Sequence, residues 1–275
     1  MPSVEANGVS LAFFEEGSGA PVIFVHESLN DMRTWRIQVP DFGSNGYRAI
    51  AYSRRNHHPN LWSGYPRDYS VATEAQDLRA FIESLKINKE PVHLVGSSYG
   101  AFACAVLARD SPEVVRSLVL GEPPILSLIS SSHSVYFDRA VFEARQESEV
   151  VPLLDAGKIE EGVGRFVDSI NGDGAYDGMT RETRQRMLEN GRTLRYELTS
   201  SKRDPFTKDD ASRISPPTLL LRSEHSPVMF QIITQELLRS LPKARVETIK
   251  HSSHLMHLHN PKDYDETVLR FLRET

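Results

Sequence analysis

Only one cysteine, Cys104, occurs in 275 residues. A single thiol cannot close an intrachain disulfide, and it cannot supply the thiolates of a cysteine zinc site. Long apolar runs are also missing, since none reaches the roughly 18 residues that a membrane-spanning helix needs. The opening "MPSVEANGVSLAFFEEGSG" has no basic segment followed by an apolar one, so no signal peptide is expected. Excess positive charge is absent as well. The formal net charge is −5, and a nucleic-acid partner is not indicated. No repeat or low-complexity segment stands out. These absences leave a soluble, cytoplasmic protein, a monomer or a homodimer, as the expectation.

What is present alternates. With 39% hydrophobic and 25% charged residues, the chain suits one large domain carrying an inserted lobe. "VSLAFFEEG" reads as an early strand. "PVIFVHE", "YRAIAYSRR", "VHLVGSS" and "VRSLVLGE" follow as strands. Between them, "DMRTWRIQVPDFGSNG", "SVATEAQDLRAFIESLK" and "YGAFACAVLARDS" read as helices. Ser70 is the expected N-cap of the second. Strands alternating with helices imply a mostly parallel sheet with helices on both faces. From about Ser127 to Asp204 the strand signal stops and helical segments take over, among them "TRETRQRMLENGRTLRYELT". The strand–helix pattern returns with "PPTLLLRSE" and "ARVETIKHSS" and ends in "KDYDETVLRFLRET". The expected division is a core of 1–126 and 205–275 with a helical insert over 127–204.

Gly96-Ser97-Ser98-Tyr99-Gly100 is a G-x-S-x-G sequence between the apolar strand "VHLV" and the small-residue helix "AFACAVLA". That context fits a nucleophile elbow, where a sharp turn projects the serine above the sheet. The spacing selects Ser98 as nucleophile. The backbone amide of Tyr99 is then one oxyanion donor. A serine needs an adjacent base. His254 in "IKHSSHLMHLHNP" follows the last strand and is the best candidate, with His251, His257 and His259 as competitors. The acid is preferred at Glu122, where "LVLGEPP" leaves the strand before the insert. Glu224 in "LLLRSEHSP" is the alternative, since Ser226 stands where an aspartate is usual.

With these residues in place, the chain resembles the α/β-hydrolase superfamily over nearly its whole length. "VHESLNDMRTW" is similar to the usual His-Gly turn with a following Trp. "AYSRRNHHPN" resembles the Arg-Gly-x-Gly loop, and "SHLMHLHNP" the Gly-His-x-x-His pattern. The resemblance implies a mostly parallel, eight-stranded α/β-hydrolase sheet with a helical cap after the sixth strand. It also implies Ser28 as the second oxyanion donor, a small-molecule substrate, and neither cofactor nor metal. The reaction this points to first is hydrolysis of a small or medium carboxylic ester or lactone. Ser98, His254 and Glu122 carry it through an acyl-serine. Two other readings belong to the same fold: proton-transfer or lyase chemistry with Glu27 or His254 as base, and a ligand-binding receptor that keeps the triad.

Two departures from the pattern bear on the site. In "SRRNHHPN", Asn56 and His58 replace common glycines, and Arg54 and Arg55 are expected to pair with acids or to meet an anionic substrate. Glu27 replaces glycine beside the expected oxyanion site, where a nearby negative charge is unfavourable. It either points away, weakens ester hydrolysis, or adds a general base. His26, Glu27, Tyr136, Phe137 and Phe166 are the pocket candidates, with Phe142 and Tyr196 as further aromatic ones.

Overall fold

The computed structural model describes residues 1–87, 90–200 and 205–275. The eight strands are β1 (Ser3–Ala6), β2 (Val9–Glu16), β3 (Ala20–Val25), β4 (Tyr47–Tyr52), β5 (Val92–Ser97), β6 (Val115–Gly121), β7 (Thr218–Ser223) and β8 (Ala244–Ile249). They form one sheet in the order β1-β2-β4-β3-β5-β6-β7-β8. The β1–β2 and β2–β4 pairs are antiparallel, and every later pair is parallel. The β1–β2 hairpin turns on Asn7 and Gly8, both at positive φ (49° and 76°). Asn-Gly is the pair that tolerates such a turn best.

The apolar runs without alternation become central strands. Side chains on a strand alternate between faces, so β3 feeds two cores at once. Ile23 and Val25 join one layer with Leu78, Phe81 and Phe102. Val22 and Phe24 join the other with Trp35, Phe42 and Tyr264. Truncating a ring such as Phe24 to alanine costs about 3–5 kcal/mol at sites of this kind. The helix Val71–Ser84 starts at Ser70, whose hydroxyl accepts from the amide of Ala72 and forms a capping box with Thr73. The helix Tyr99–Asp110 is buried along nearly its whole length, as its small apolar residues allow.

Two expected helices are broken. "DMRTWRIQVPDFGSNG" splits into a 3-10 turn, Met32–Trp35, capped by Asp31, and a short α-helix, Gln38–Ser44. "TRETRQRMLENGRTLRYELT" divides at Asn190 into Arg181–Glu189 and Gly191–Ser200. Asn190 leaves the helical pattern because its side chain is used elsewhere. Its Nδ2 donates to Asp31 Oδ2 (2.8 Å), and its Oδ1 accepts from the amide of His58 (2.7 Å). Between β6 and β7 the described residues form helices and turns, with no strand of the sheet. The end of the expected insert, 201–204, lies outside the described residues. Among the described residues, no helix is long and apolar enough to cross a membrane.

Candidate active site

Ser98 sits where β5 turns into the helix Tyr99–Asp110, at φ 48° and ψ −119°. This conformation is costly for a residue with a Cβ, and the surroundings enforce it. The Ser98 amide donates to the Gly121 carbonyl (2.7 Å), and its carbonyl accepts from the Phe102 amide (3.0 Å). The motif glycines make room for the turn. A Cβ on Gly96 would stand 2.5 Å from the Ala101 Cα, and one on Gly100 would press on the carbonyl oxygens of Val25 and His26. The Tyr99 amide is the first of its helix, so it has no intrahelical acceptor.

Glu122 follows β6 and also takes a positive φ, 43°. Its Oε2 lies 2.7 Å from His254 Nδ1. Its Oε1 accepts from both the amide and the hydroxyl of Ser223, each at 2.8 Å. Burial works to raise the Glu122 pKa, but the bonds from His254, Ser223 and Ser226 outweigh it and hold the carboxyl below its usual range. The turn after β7, where a family acid is usual, thus supplies serines that steady a carboxylate borrowed from β6. Glu224 is exposed and accepts from the His251 amide (2.7 Å), and no bond links it to His254. The His254 ring stacks on Phe230 with centroids 4.6 Å apart.

Glu27 does not line the main cavity over Ser98 and borders only a small side chamber next to it. Its Oε1 accepts from Asn30 Nδ2 (2.5 Å) and Thr34 Oγ1 (3.2 Å), and Oε2 makes no hydrogen bond. Thr34 Oγ1 also lies 2.8 Å from His257 Nε2. Burial raises the Glu27 pKa above the ordinary carboxylate value, against the opposing bonds from Asn30 and Thr34. Burial likewise lowers His257 to about 3, so that ring stays neutral and stacks on Trp35 at 4.2 Å.

His26 is a structural member of the turn and does not line the cavity. Its Nδ1 faces the Glu27 carbonyl (2.8 Å), and its Nε2 accepts from the Arg54 amide (2.9 Å). Such a pattern needs the neutral ring, in keeping with a pKa lowered by burial and by Arg54. The loop "SRRNHHPN" is buried from Ser53 to His57 and half-buried from His58 to Asn60. Arg54 lies 2.6 Å from Glu197 Oε1 on the helix Gly191–Ser200 and 3.2 Å from Glu74. It also donates to the carbonyls of His26 (3.2 Å) and Glu27 (3.3 Å). Arg55 forms a two-bond pair with Asp77 (2.5 Å each). Both arginines are therefore committed to protein partners and do not face an anionic substrate.

A cavity of about 220 Å³ opens over Ser98, lined by Ser28, Tyr99, Phe142, Phe166 and Phe230 among others. A side chamber of about 50 Å³ touches Glu27, Ser98, His254 and Phe166. Phe166 lines both. Tyr136 and Phe137, expected in the pocket, lie on the surface, with Phe137 78% exposed. They occupy the first turn of the helix Tyr136–Arg145. Phe142, five residues beyond Phe137, lies about 140° around that helix and faces the cavity instead. Tyr196 stacks on Tyr65 (4.3 Å). Sequence reasoning missed Glu197 and Gln146, because nothing local marks a polar residue on an insert helix as facing the cavity.

The fold, the strained serine turn and the histidine–carboxylate contact together are those of an α/β hydrolase. The chain belongs to the alpha/beta hydrolase family, whose sequence model matches residues 22–267. A candidate non-heme bromoperoxidase from Mycobacterium tuberculosis is 35% identical over 113 residues, which is 41% of this chain and 41% of that protein. The chain thus spans about two fifths of the length of that relative. An alpha/beta hydrolase from Sphaerobacter thermophilus superposes with a TM-score of 0.79 at 23% identity, over 98% of this chain and 100% of that one. A carboxylesterase from Bacillus subtilis gives 0.74 at 20% identity, over 99% and 91%. These structural likenesses concern the fold.

Proposed function

We propose that the protein is a serine hydrolase that cleaves a small or medium carboxylic ester or lactone through an acyl-Ser98 intermediate. The observation that carries this reading is the 2.7 Å contact of His254 Nδ1 with a buried, ionised Glu122 beside the strained turn of Ser98. Glu122 takes the Nδ1 proton in a hydrogen bond, which leaves Nε2 free to act as base. The Ser98 hydroxyl gives its proton to that nitrogen as Oγ attacks the carbonyl carbon. The amides of Tyr99 and Ser28 receive the developing oxyanion. His254 then protonates the leaving alcohol. Water attacks the acyl-serine, with its proton passing to His254 and on to Ser98 Oγ as the acid leaves. The helical insert, 127–204, acts as a cap over the core of 1–126 and 205–275, and its largely apolar inner face selects a partly apolar substrate. No cofactor enters the scheme.

Glu27 carries no proton in it. Its Oε1 is held by Asn30 and Thr34, and burial raises its pKa. The test is covalent labelling by a fluorophosphonate together with turnover of 4-nitrophenyl esters. Both are expected in the wild type and neither in Ser98→Ala. Ester turnover that survives Ser98→Ala but falls in Glu27→Gln would transfer the chemistry to Glu27.

A further inference from the structure

Three buried oxygens on the insert have no hydrogen bond among the described residues: the Tyr176 hydroxyl and the acceptors Gln146 Oε1 and Glu197 Oε2. The Tyr176 hydroxyl is not on the cavity over Ser98. Gln146 and Glu197 both line that cavity. An unpaired buried acceptor is costly, and a ligand that supplies a donor recovers that cost.

The Gln146 amide has a fixed orientation. Gln146 opens a π-helical turn, Gln146–Val150, between two α-helical segments, and such turns are frequent at functional sites. The Ser169 hydroxyl donates to the Phe166 carbonyl (2.6 Å), so its oxygen must accept from Gln146, at 3.0 Å. The group facing Ser169 is therefore the NH₂, and Oε1 is left over. Glu197 is held from the opposite side. Arg54 binds its Oε1 at 2.6 Å. Although burial works against it, Arg54 and His57 hold the Glu197 pKa down to about 2, so the carboxylate stays ionised. Arg54 is shared with Glu74, so one guanidinium serves two carboxylates. Among the described residues, no lysine, arginine or histidine lines the cavity, whereas Glu147 and Glu143, the latter paired with Arg139, join Glu197 there.

We propose that Gln146 and Glu197 are specificity-determining residues that bind a hydrogen-bond donor, a hydroxyl or an ammonium group, on the part of the ester lying under the insert. This deepens the acyl-transfer reading and rests on it. Substrates with a donor on an otherwise apolar chain are favoured, and those ending in a carboxylate are disfavoured.

The test uses 4-nitrophenyl esters from butanoate to octanoate, each unsubstituted or ending in a hydroxyl, an ammonium or a carboxylate group. In the wild type, a donor-bearing ester at the best chain length exceeds its unsubstituted parent in kcat/KM by about tenfold, the scale of one hydrogen bond to a charged or buried acceptor. The carboxylate ester is the poorest of the set. The hydroxyl and ammonium arms show which donor the site takes. Gln146→Met and Glu197→Gln each shrink the donor-to-parent ratio severalfold. That ratio is internal to each variant, so loss of folded protein does not imitate the effect. Equal or better turnover of the unsubstituted parents at every length would overturn the proposal, as would unchanged ratios in both variants. Absence of turnover across the whole set, with no labelling of Ser98, would instead overturn the acyl-transfer reading beneath it.

Discussion

Glu122 and Glu27 are both buried carboxylates at strand ends, and β5 with its Ser98 turn lies between their strands. Their surroundings differ. Both oxygens of Glu122 are used, by His254 and by Ser223, and its pKa falls. Glu27 has one oxygen held and one orphaned, and its pKa rises. Burial pushes both upward, and the number and quality of partners decides the sign. In the proposed mechanism, a carboxylate that stays charged stabilises the imidazolium formed when His254 takes a proton. Glu27, whose pKa burial raises, borders only the small side chamber at Ser98. The same residue type is therefore shifted in opposite directions on the two sides of one serine.

The sharpest way to break this contrast is to neutralise each carboxylate in turn. Glu122→Gln is expected to lower kcat by about 10³–10⁴-fold, the scale of losing the group that orients a catalytic histidine. Glu27→Gln is expected to cost less than about tenfold, since it removes no bond in the proposed proton path. Steady-state kinetics on one 4-nitrophenyl ester compares them, and equal losses would dissolve the distinction.

Glu197 extends the comparison to the insert. Glu197→Gln leaves Arg54 short of a partner, and breaking such a buried pair costs about 3 kcal/mol of stability at neutral pH. The native pKa, near 2, lies below the unfolded value. Its contribution is therefore present above about pH 4.3 and is lost as pH falls toward 2. Denaturant unfolding at the two ends of that window reads the difference between wild type and variant. Glu27 has the opposite sign. Its folded pKa is raised, so ionisation opposes folding once pH exceeds the unfolded carboxylate value. Glu27→Gln is thus expected to stabilise the protein more at about pH 8 than at about pH 4. The smallest effect is expected at Glu224, where substitution by alanine should change kcat less than about twofold, because the group is exposed and its carboxylate is paired with His251.

The core of this site was legible because each part has a local signature. Ser98 lies in a glycine-bracketed turn whose spacing is a steric requirement, and the structure shows what those glycines avoid. Glu122 follows the apolar strand β6 and His254 follows the last strand, β8, so their places at the sheet's carboxyl edge come from topology. Glu27 stood out as a misfit, but its direction depended on Asn30, Thr34 and His257, which only the folded turn brings together. Gln146 and Glu197 left no trace. Their positions depend on a π-helical turn and on a partner, Arg54, 143 residues from Glu197 in the chain. Tyr136 and Phe137 misled for the same reason: aromatic content marks an insert helix as amphipathic without telling which face turns inward.

The most direct test of the Glu122–His254 pairing is the proton NMR signal of His254 Nδ1–H. A proton held between an imidazole nitrogen and an ionised carboxylate at 2.7 Å resonates far downfield and exchanges slowly. The signal is predicted in the wild type, in Glu27→Gln and in Glu224→Ala, and is predicted to vanish in Glu122→Gln. Its persistence in Glu122→Gln, or its loss in either of the other two variants, would contradict the assignment of Glu122 as the residue that orients His254.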